Sequence, residues 1–323
     1  AQTVEADRPN GSPGGGVPVD HGSGTGPVDH DGADLEGTTS WREVLAGTSS
    51  RLTSAGLPAM EARWIVDEAS GTDSDDGLDA LVTQRGMAQH DAMVARRLAG
   101  EPLQYVLGRW AFRSLDLMVD GRVLIPRPET EVVAGLALVE VDRISAVRGG
   151  GQVMVADLGT GSGAIGLSIA AERPVARVWC TDASADALDV ARANCAGLGR
   201  PARRVTMAEG PWFDALPPAM VRAFDVVVSN PPYIARDDDL PAEVAGWEPS
   251  VALLADGSGL ADLEVLVDGA GAWLAPGGAL VLEMAPDQTA AMADRARTVG
   301  YVDVGVHRDL TGRDRALVAR LPA

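Results

Sequence analysis

Lysine is absent from this 323-residue chain: its 27 basic residues are all arginine, they face 46 acidic ones, and the formal net charge is −19. A surface of that sign repels polyphosphates, so a protein that lives by gripping duplex nucleic acid is not expected. Cysteine is nearly absent too. Cys180 and Cys195 are the only two, too few for a disulfide framework, and no histidine stands near them at metal-ligand spacing. The four histidines, His21, His30, His90 and His307, are scattered, so neither a metal site nor a histidine general base is expected. No apolar run reaches membrane-spanning length, and the N-terminus lacks the basic and apolar regions of a secretory signal. The expectation is a cytoplasmic protein with no membrane partner. The chain opens on Ala1-Gln2 without Met, which reads as a trimmed or processed start.

What is present divides the chain into four stretches. Residues 1–38 are acidic and rich in Gly and Pro, with few large apolar side chains, and are expected to be a disordered tail. Residues 39–100 read as a helical module that recognises the substrate. It opens on the capping box Ser40-Trp41-Arg42-Glu43, with amphipathic stretches at Leu57–Ala69 and Met87–Leu98. Residues 101–125 read as a β-hairpin linker, with Gln104–Gly108 and Ser114–Val119 as its β-like segments. Residues 126–323 alternate short apolar runs with helical stretches. The runs Val153–Leu158, Arg177–Thr181, Arg204–Ala208, Phe224–Ser229, Ala279–Met284, Tyr301–His307 and Arg315–Leu321 give seven strands. Alternation of this kind specifies an α/β, mostly parallel, doubly wound sheet, the last two strands forming an antiparallel pair at one edge.

Two segments carry chemistry. Asp157-Leu158-Gly159-Thr160-Gly161-Ser162-Gly163 leaves the first of these strands and opens a helix, and glycines there let backbone N–H groups approach a ligand. The second strand ends on Asp182, roughly twenty residues past the turn, where an acidic side chain bonds adenosine ribose hydroxyls. Gly161, Gly163 and Gly166 also fit a dinucleotide spacing, so the turn alone does not separate a methyl donor from a nicotinamide. The other segment, Asn230-Pro231-Pro232-Tyr233, follows the apolar run Phe224–Ser229. Two prolines cannot continue a sheet ladder. An Asn oxygen and a neighbouring carbonyl make two acceptors for a planar –NH2, with a tyrosine ring beside them. Hydride transfer has no use for such a site.

In the order of these motifs the chain resembles the class I S-adenosylmethionine-dependent methyltransferases, which have a Rossmann-like fold. Within them it is similar to the HemK/PrmC family, which methylates N5 of the glutamine in the Gly-Gly-Gln loop of class-1 peptide chain release factors. Ile125-Pro126-Arg127-Pro128-Glu129-Thr130-Glu131, Asp157–Gly163, Asn230–Tyr233 and Asp309-Leu310-Thr311-Gly312-Arg313-Asp314-Arg315 carry the likeness. The resemblance implies that Gly159, Thr160, Gly161, Ser162 and Gly163 cradle S-adenosylmethionine, that Asp182 takes its ribose and that Trp212 lies by the adenine. It also implies that Asn230 and the Pro231 carbonyl hold the glutamine amide while Pro232 and Tyr233 shape the site, with Asn230 on the cofactor side as well. Met284 stands where many relatives carry glycine.

Two other substrates fit the same chemistry. A paralogous enzyme methylates glutamine in a large-subunit ribosomal protein, and DNA adenine N6 is also a planar –NH2, reached by base flipping. The acidic surface disfavours the second, and no direct nucleic-acid substrate is expected.

Overall fold

The computed structural model describes residues 39–238 and 241–323; the tail expected over residues 1–38 lies outside the described residues. Ser40 starts the first helix in the way its sequence dictates. Its Oγ accepts from the Glu43 N–H at 3.3 Å, and Glu43 Oε2 accepts from the Ser40 N–H at 2.9 Å, satisfying two donors that a helix start otherwise leaves orphaned. The helices α1 (Trp41–Ser54), α2 (Glu61–Ser70) and α3 (Gln84–Leu98) then pack around Trp41, Leu52, Ile65, Val66 and Val94. Removing each such side chain from water contributes about 1.5–3 kcal/mol.

The hairpin linker differs from its sequence expectation. Gln104–Gly108 is not a strand: α4 (Leu103–Leu107) begins after Pro102 and ends on Gly108, whose φ of 73° is left-handed. The three-residue apolar run Tyr105-Val106-Leu107 has no periodicity to choose between strand and helix. Burial of Leu103, Tyr105 and Val106 decides for helix. The hairpin itself is shorter, β1 (Arg109–Phe112) against β2 (Leu115–Met118).

Pro128 occupies the first turn of α5 (Pro128–Val147), with Glu129 and Glu131 at its positive end. The alternation that follows is β3 (Val153–Leu158), α6 (Ala164–Glu172), β4 (Ala176–Asp182), α7 (Ala185–Gly197), β5 (Val205–Glu209) and β6 (Phe224–Ser229). Beyond β6 come β7 (Ile234–Ala235), α8 (Ala242–Ala245), β8 (Leu254–Ala255), α9 (Ala261–Trp273), β9 (Leu274–Glu283), α10 (Thr289–Thr298), β10 (Asp303–Arg308) and β11 (Asp314–Arg320). Seven strands form one sheet in the order β10-β11-β9-β6-β3-β4-β5. All neighbours are parallel except where the reversed β11 pairs with β9 and β10. The doubly wound, mostly parallel seven-stranded sheet expected from the sequence is therefore the observed one. Every residue of β6 is buried, as a strand covered on both faces requires.

α8, α10 and the short parallel pair of β7 and β8, which follows Tyr233, had no counterpart in the sequence reading. After β5 the chain crosses back to the far side of β3, so strand order reverses between β3 and β6, and a crevice opens beyond their carboxyl ends.

Candidate active site

The register sets the geometry. Asp157 of β3 lies opposite Val228 of β6, which brings Gly159 and Asn230 off neighbouring strands at one level. Ser229 Oγ donates to the Leu158 carbonyl at 2.6 Å and pins the two strand ends together. On the β3 side the glycine turn is fastened at both flanks. Thr160 Oγ1 and the Gly166 N–H both donate to Asp157 Oδ2, at 2.6 and 2.9 Å. The Thr160 N–H donates to the Thr181 carbonyl at 2.8 Å, and the Gly161 N–H to Asp182 Oδ2 at 2.9 Å. Burial pushes the Asp157 carboxyl up to about 6, against the Thr160 and Gly166 bonds that pull it down. Asp182 is raised in the same way, opposed by backbone N–H donors.

Gly159, at φ 72°, would bring an added Cβ to 3.3 Å from the Trp212 ring, so indole and turn approach only because no side chain intervenes. Trp212 itself sits at φ 45°, an uncommon conformation for a bulky residue that costs on the order of 1–3 kcal/mol. Its Nε1 donates to Asp262 Oδ1 at 3.1 Å. Burial raises the Asp262 carboxyl, opposed by this indole bond.

On the β6 side, Asn230 Nδ2 donates to Thr130 Oγ1 at 3.2 Å. Tyr233 OH donates to Glu283 Oε1 at 3.3 Å, and Gln288 Nε2 donates to the Tyr233 carbonyl at 2.9 Å. Glu283, the last residue of β9, is buried, and burial pushes it up to about 7 against the opposing effects of Thr130, Arg315 and Tyr233. The Tyr233 phenol is also raised, first by burial and then by Glu283.

Two cavities meet here. The larger, about 410 Å³, is lined by Gly159, Thr160, Gly161, Ser162, Asp182, Trp212, Asn230 and Pro232, and also by Thr130, Leu124, Arg122 and Asp262. The smaller, about 160 Å³, is lined by Asn230, Pro231 and Tyr233 with Leu124, Arg127, Ile234, Pro241, Val244, Ala252 and Leu253. Of the residues given a cofactor or substrate role in the sequence, Gly163 alone lines neither. It stands at φ 88° where an added Cβ would meet Leu167 at 2.6 Å, and so shapes the start of α6 from behind. The residues that sequence reasoning left without a role here are Thr130, Asp262 and Glu283. Two signals were available: Thr130 lies within the Ile125–Glu131 segment, and Glu283 is a carboxylate closing an apolar strand. Among the described residues no cluster of His, Cys, Asp and Glu is suited to a metal ion, and no helix is long and apolar enough to cross a membrane.

A mostly parallel sheet with one reversed strand, carrying a glycine turn after β3 and a polar tetrapeptide after β6, is the build of the class I methyltransferases, and this chain is one. Residues 144–245 match the family model described as methyltransferase small domain, and residues 43–108 match the PrmC N-terminal domain. A release factor glutamine methyltransferase of Burkholderia pseudomallei is 43% identical over 288 residues, covering 86% of this chain and 97% of that protein. One from Xylella fastidiosa is 47% identical over 232 residues, covering 72% and 80%. One from Moorella thermoacetica is 40% identical over 286 residues, covering 86% and 97%. The chain belongs to the release factor glutamine methyltransferase family.

Proposed function

We propose that the chain transfers a methyl group from S-adenosylmethionine to the side-chain amide nitrogen, N5, of the glutamine in the Gly-Gly-Gln motif of class-1 peptide chain release factors. The observation that carries this reading is the place of Asn230, which stands in the walls of both cavities. A group held by Asn230 from the smaller cavity faces whatever fills the larger one.

The larger cavity fits the cofactor. Its volume is of the size that ligand sites have, roughly 300–1,000 Å³. Each Asp182 oxygen takes one backbone N–H, from Gly161 and from Ser184, and a carboxylate accepts about four hydrogen bonds, so acceptor capacity remains for ribose hydroxyls. Trp212 and the bare Gly159 backbone give a flat wall beside the glycine turn. Gly159, Thr160, Gly161 and Ser162 would hold the cofactor from the turn side, Asp182 and Trp212 from the others.

When bound, S-adenosylmethionine supplies a methyl group made electrophilic by its sulfonium. An amide nitrogen is a poor nucleophile, because its lone pair is delocalised into the carbonyl, so positioning must supply most of the rate. Asn230 Oδ1 and the Pro231 carbonyl accept the two N–H bonds of the substrate amide, and Tyr233 packs against the amide plane. These acceptor dipoles also favour the positive charge that grows on nitrogen during attack. No general base is needed at that moment, since the methylated nitrogen sheds its proton readily afterwards. Pro231 and Pro232 contribute by leaving the sheet ladder, which turns the Pro231 carbonyl out of regular pairing.

A release factor as substrate goes with a cytoplasmic protein whose macromolecular partner is a protein, not a nucleic acid. Incubation with S-adenosylmethionine and, in separate reactions, a purified class-1 release factor, a large-subunit ribosomal protein and duplex DNA tests the reading. One methyl mass on the release factor alone is expected. Methylation of the ribosomal protein or the DNA in its place contradicts it.

A further inference from the structure

The oxygen and nitrogen of the Asn230 amide have opposite uses, and something must choose between them. An amide whose oxygen faces the substrate accepts an N–H; the flipped amide presents a donor to a donor and repels it. The surroundings make the choice. Asn230 Nδ2 donates to Thr130 Oγ1 at 3.2 Å, so the threonine hydroxyl spends a lone pair there and keeps its own proton. Thr130 is buried on the first turn of α5, and its hydroxyl faces the Glu283 carboxyl, whose ionised form it stabilises. Glu283 is 1% exposed, and its Oε2 is buried with no partner. A buried carboxylate oxygen without a donor costs several kcal/mol; the unspent Thr130 proton is one donor beside it, and Arg315 Nε, likewise buried without a partner, is the other. An ionised carboxylate only accepts, so the polarity of the chain is set from its buried end: Glu283 draws the Thr130 proton, Thr130 accepts from Asn230 Nδ2, and Asn230 Oδ1 is left for the substrate.

We infer that Thr130 and Glu283 are positioning residues which fix the orientation of the Asn230 amide so that it works as a hydrogen-bond acceptor. The inference rests on the proposed role of Asn230 in holding a substrate amide. Glu283 also accepts from Tyr233 OH, so one carboxylate orients both ends of the tetrapeptide. The charged and titratable groups that face it are Glu129, from the same turn of α5 as Thr130, Tyr233 after β6, and Arg315 of β11. Protonation of Glu283 reverses the chain. The carboxylic acid then donates to Thr130 Oγ1, the hydroxyl proton is driven towards Asn230, and the amide turns over.

Three variants test this: Thr130→Val, which keeps the shape and removes the hydroxyl; Thr130→Ser, which keeps the hydroxyl; and Glu283→Gln. The orientation is read without any substrate, as hydrogen-exchange protection of the Asn230 side-chain amide in nitrogen-labelled protein, its signal assigned by its loss in Asn230→Ala. Protection is expected in the wild type and in Thr130→Ser, and its loss in Thr130→Val. In steady-state methylation, kcat of Thr130→Val is expected to fall at least about tenfold, with cofactor Kd and release-factor KM within about twofold and most of the rate restored by Thr130→Ser. Wild-type kcat is expected to fall as pH drops through neutrality, and Glu283→Gln to lack that acid limb. Unchanged amide protection in Thr130→Val, or an unchanged acid limb in Glu283→Gln, overturns the inference. If the wild type methylates no glutamine, the reading of the site fails, and the amide measurement still decides the orientation.

Discussion

Ser229 Oγ donates to the Leu158 carbonyl at 2.6 Å, with both residues buried at the carboxyl ends of adjacent parallel strands. That bond joins the strand that leads into the glycine turn to the strand that leads into the tetrapeptide, so the two halves of the site keep one level. Replacing Ser229 by Ala is expected to cost about 1–3 kcal/mol, the usual penalty for depriving a buried acceptor, and to lower methyl transfer with it. Denaturant unfolding followed by single-turnover methylation checks this; unchanged stability and rate contradict the coupling.

Asn230→Ala removes one acceptor and leaves the glycine turn, Asp182 and Trp212 in place. Methyl transfer is expected to fall by more than about a hundredfold, as misplacement of a reacting group does, while calorimetric affinity for S-adenosylmethionine stays within a few fold. Turnover close to that of the wild type removes Asn230 from the chemistry.

Trp212 combines a flat face over Gly159 with an Nε1 bond to Asp262. Trp212→Phe keeps an aromatic face but loses that bond and leaves Asp262 without its indole partner. Cofactor Kd, measured by calorimetry, is expected to weaken by about fivefold to thirtyfold, corresponding to roughly 1–2 kcal/mol. An unchanged Kd puts Trp212 outside the cofactor site.

Much of this site was legible in the sequence, and the reason is local. Phe224–Ser229, a largely apolar run around Val226-Val227-Val228, forms β6 within those very bounds, so the placement of Asn230 beyond a strand end needed no knowledge of the rest of the chain. Ser40 with Glu43 announces a helix start through bonds that span three residues, and Pro128 announces another as the first residue of α5, where its fixed φ suits the helix. What was not legible depends on distance or on weak patterning. Thr130 and Asn230 are 100 residues apart in sequence, and only the sheet order brings them together. Helix α10 buries Met292, Ala293 and Ala296, a stripe of mostly small side chains that leaves little periodic signal, and its Gln288 N-cap makes no side-chain capping bond. Gln104–Leu107 reads equally well as strand or helix until its neighbours are known.

Asp157 links stability to pH with a definite sign. Its carboxyl is pushed from 3.8 up to about 6 by burial, so the protonated form is favoured in the folded state. The stability tied to that group is fully present below about pH 4 and is lost as pH rises through 6, a swing of about 3 kcal/mol. Asn at this position does not titrate. The stability of Asp157→Asn relative to the wild type, from urea unfolding at a series of pH values, is therefore expected to improve between pH 4 and about pH 7. A difference that stays flat across that range contradicts the assignment.

The central claim is that a methyl group is placed on a glutamine amide nitrogen. Its most direct test is tandem mass spectrometry of a class-1 release factor after reaction with this protein and S-adenosylmethionine, compared with the same release factor carrying Asn in place of the Gly-Gly-Gln glutamine. The expected result is a single methyl mass on the glutamine side chain of the Gly-Gly-Gln peptide, and none in the variant. Methylation at any other residue, or equal methylation of both proteins, contradicts the account.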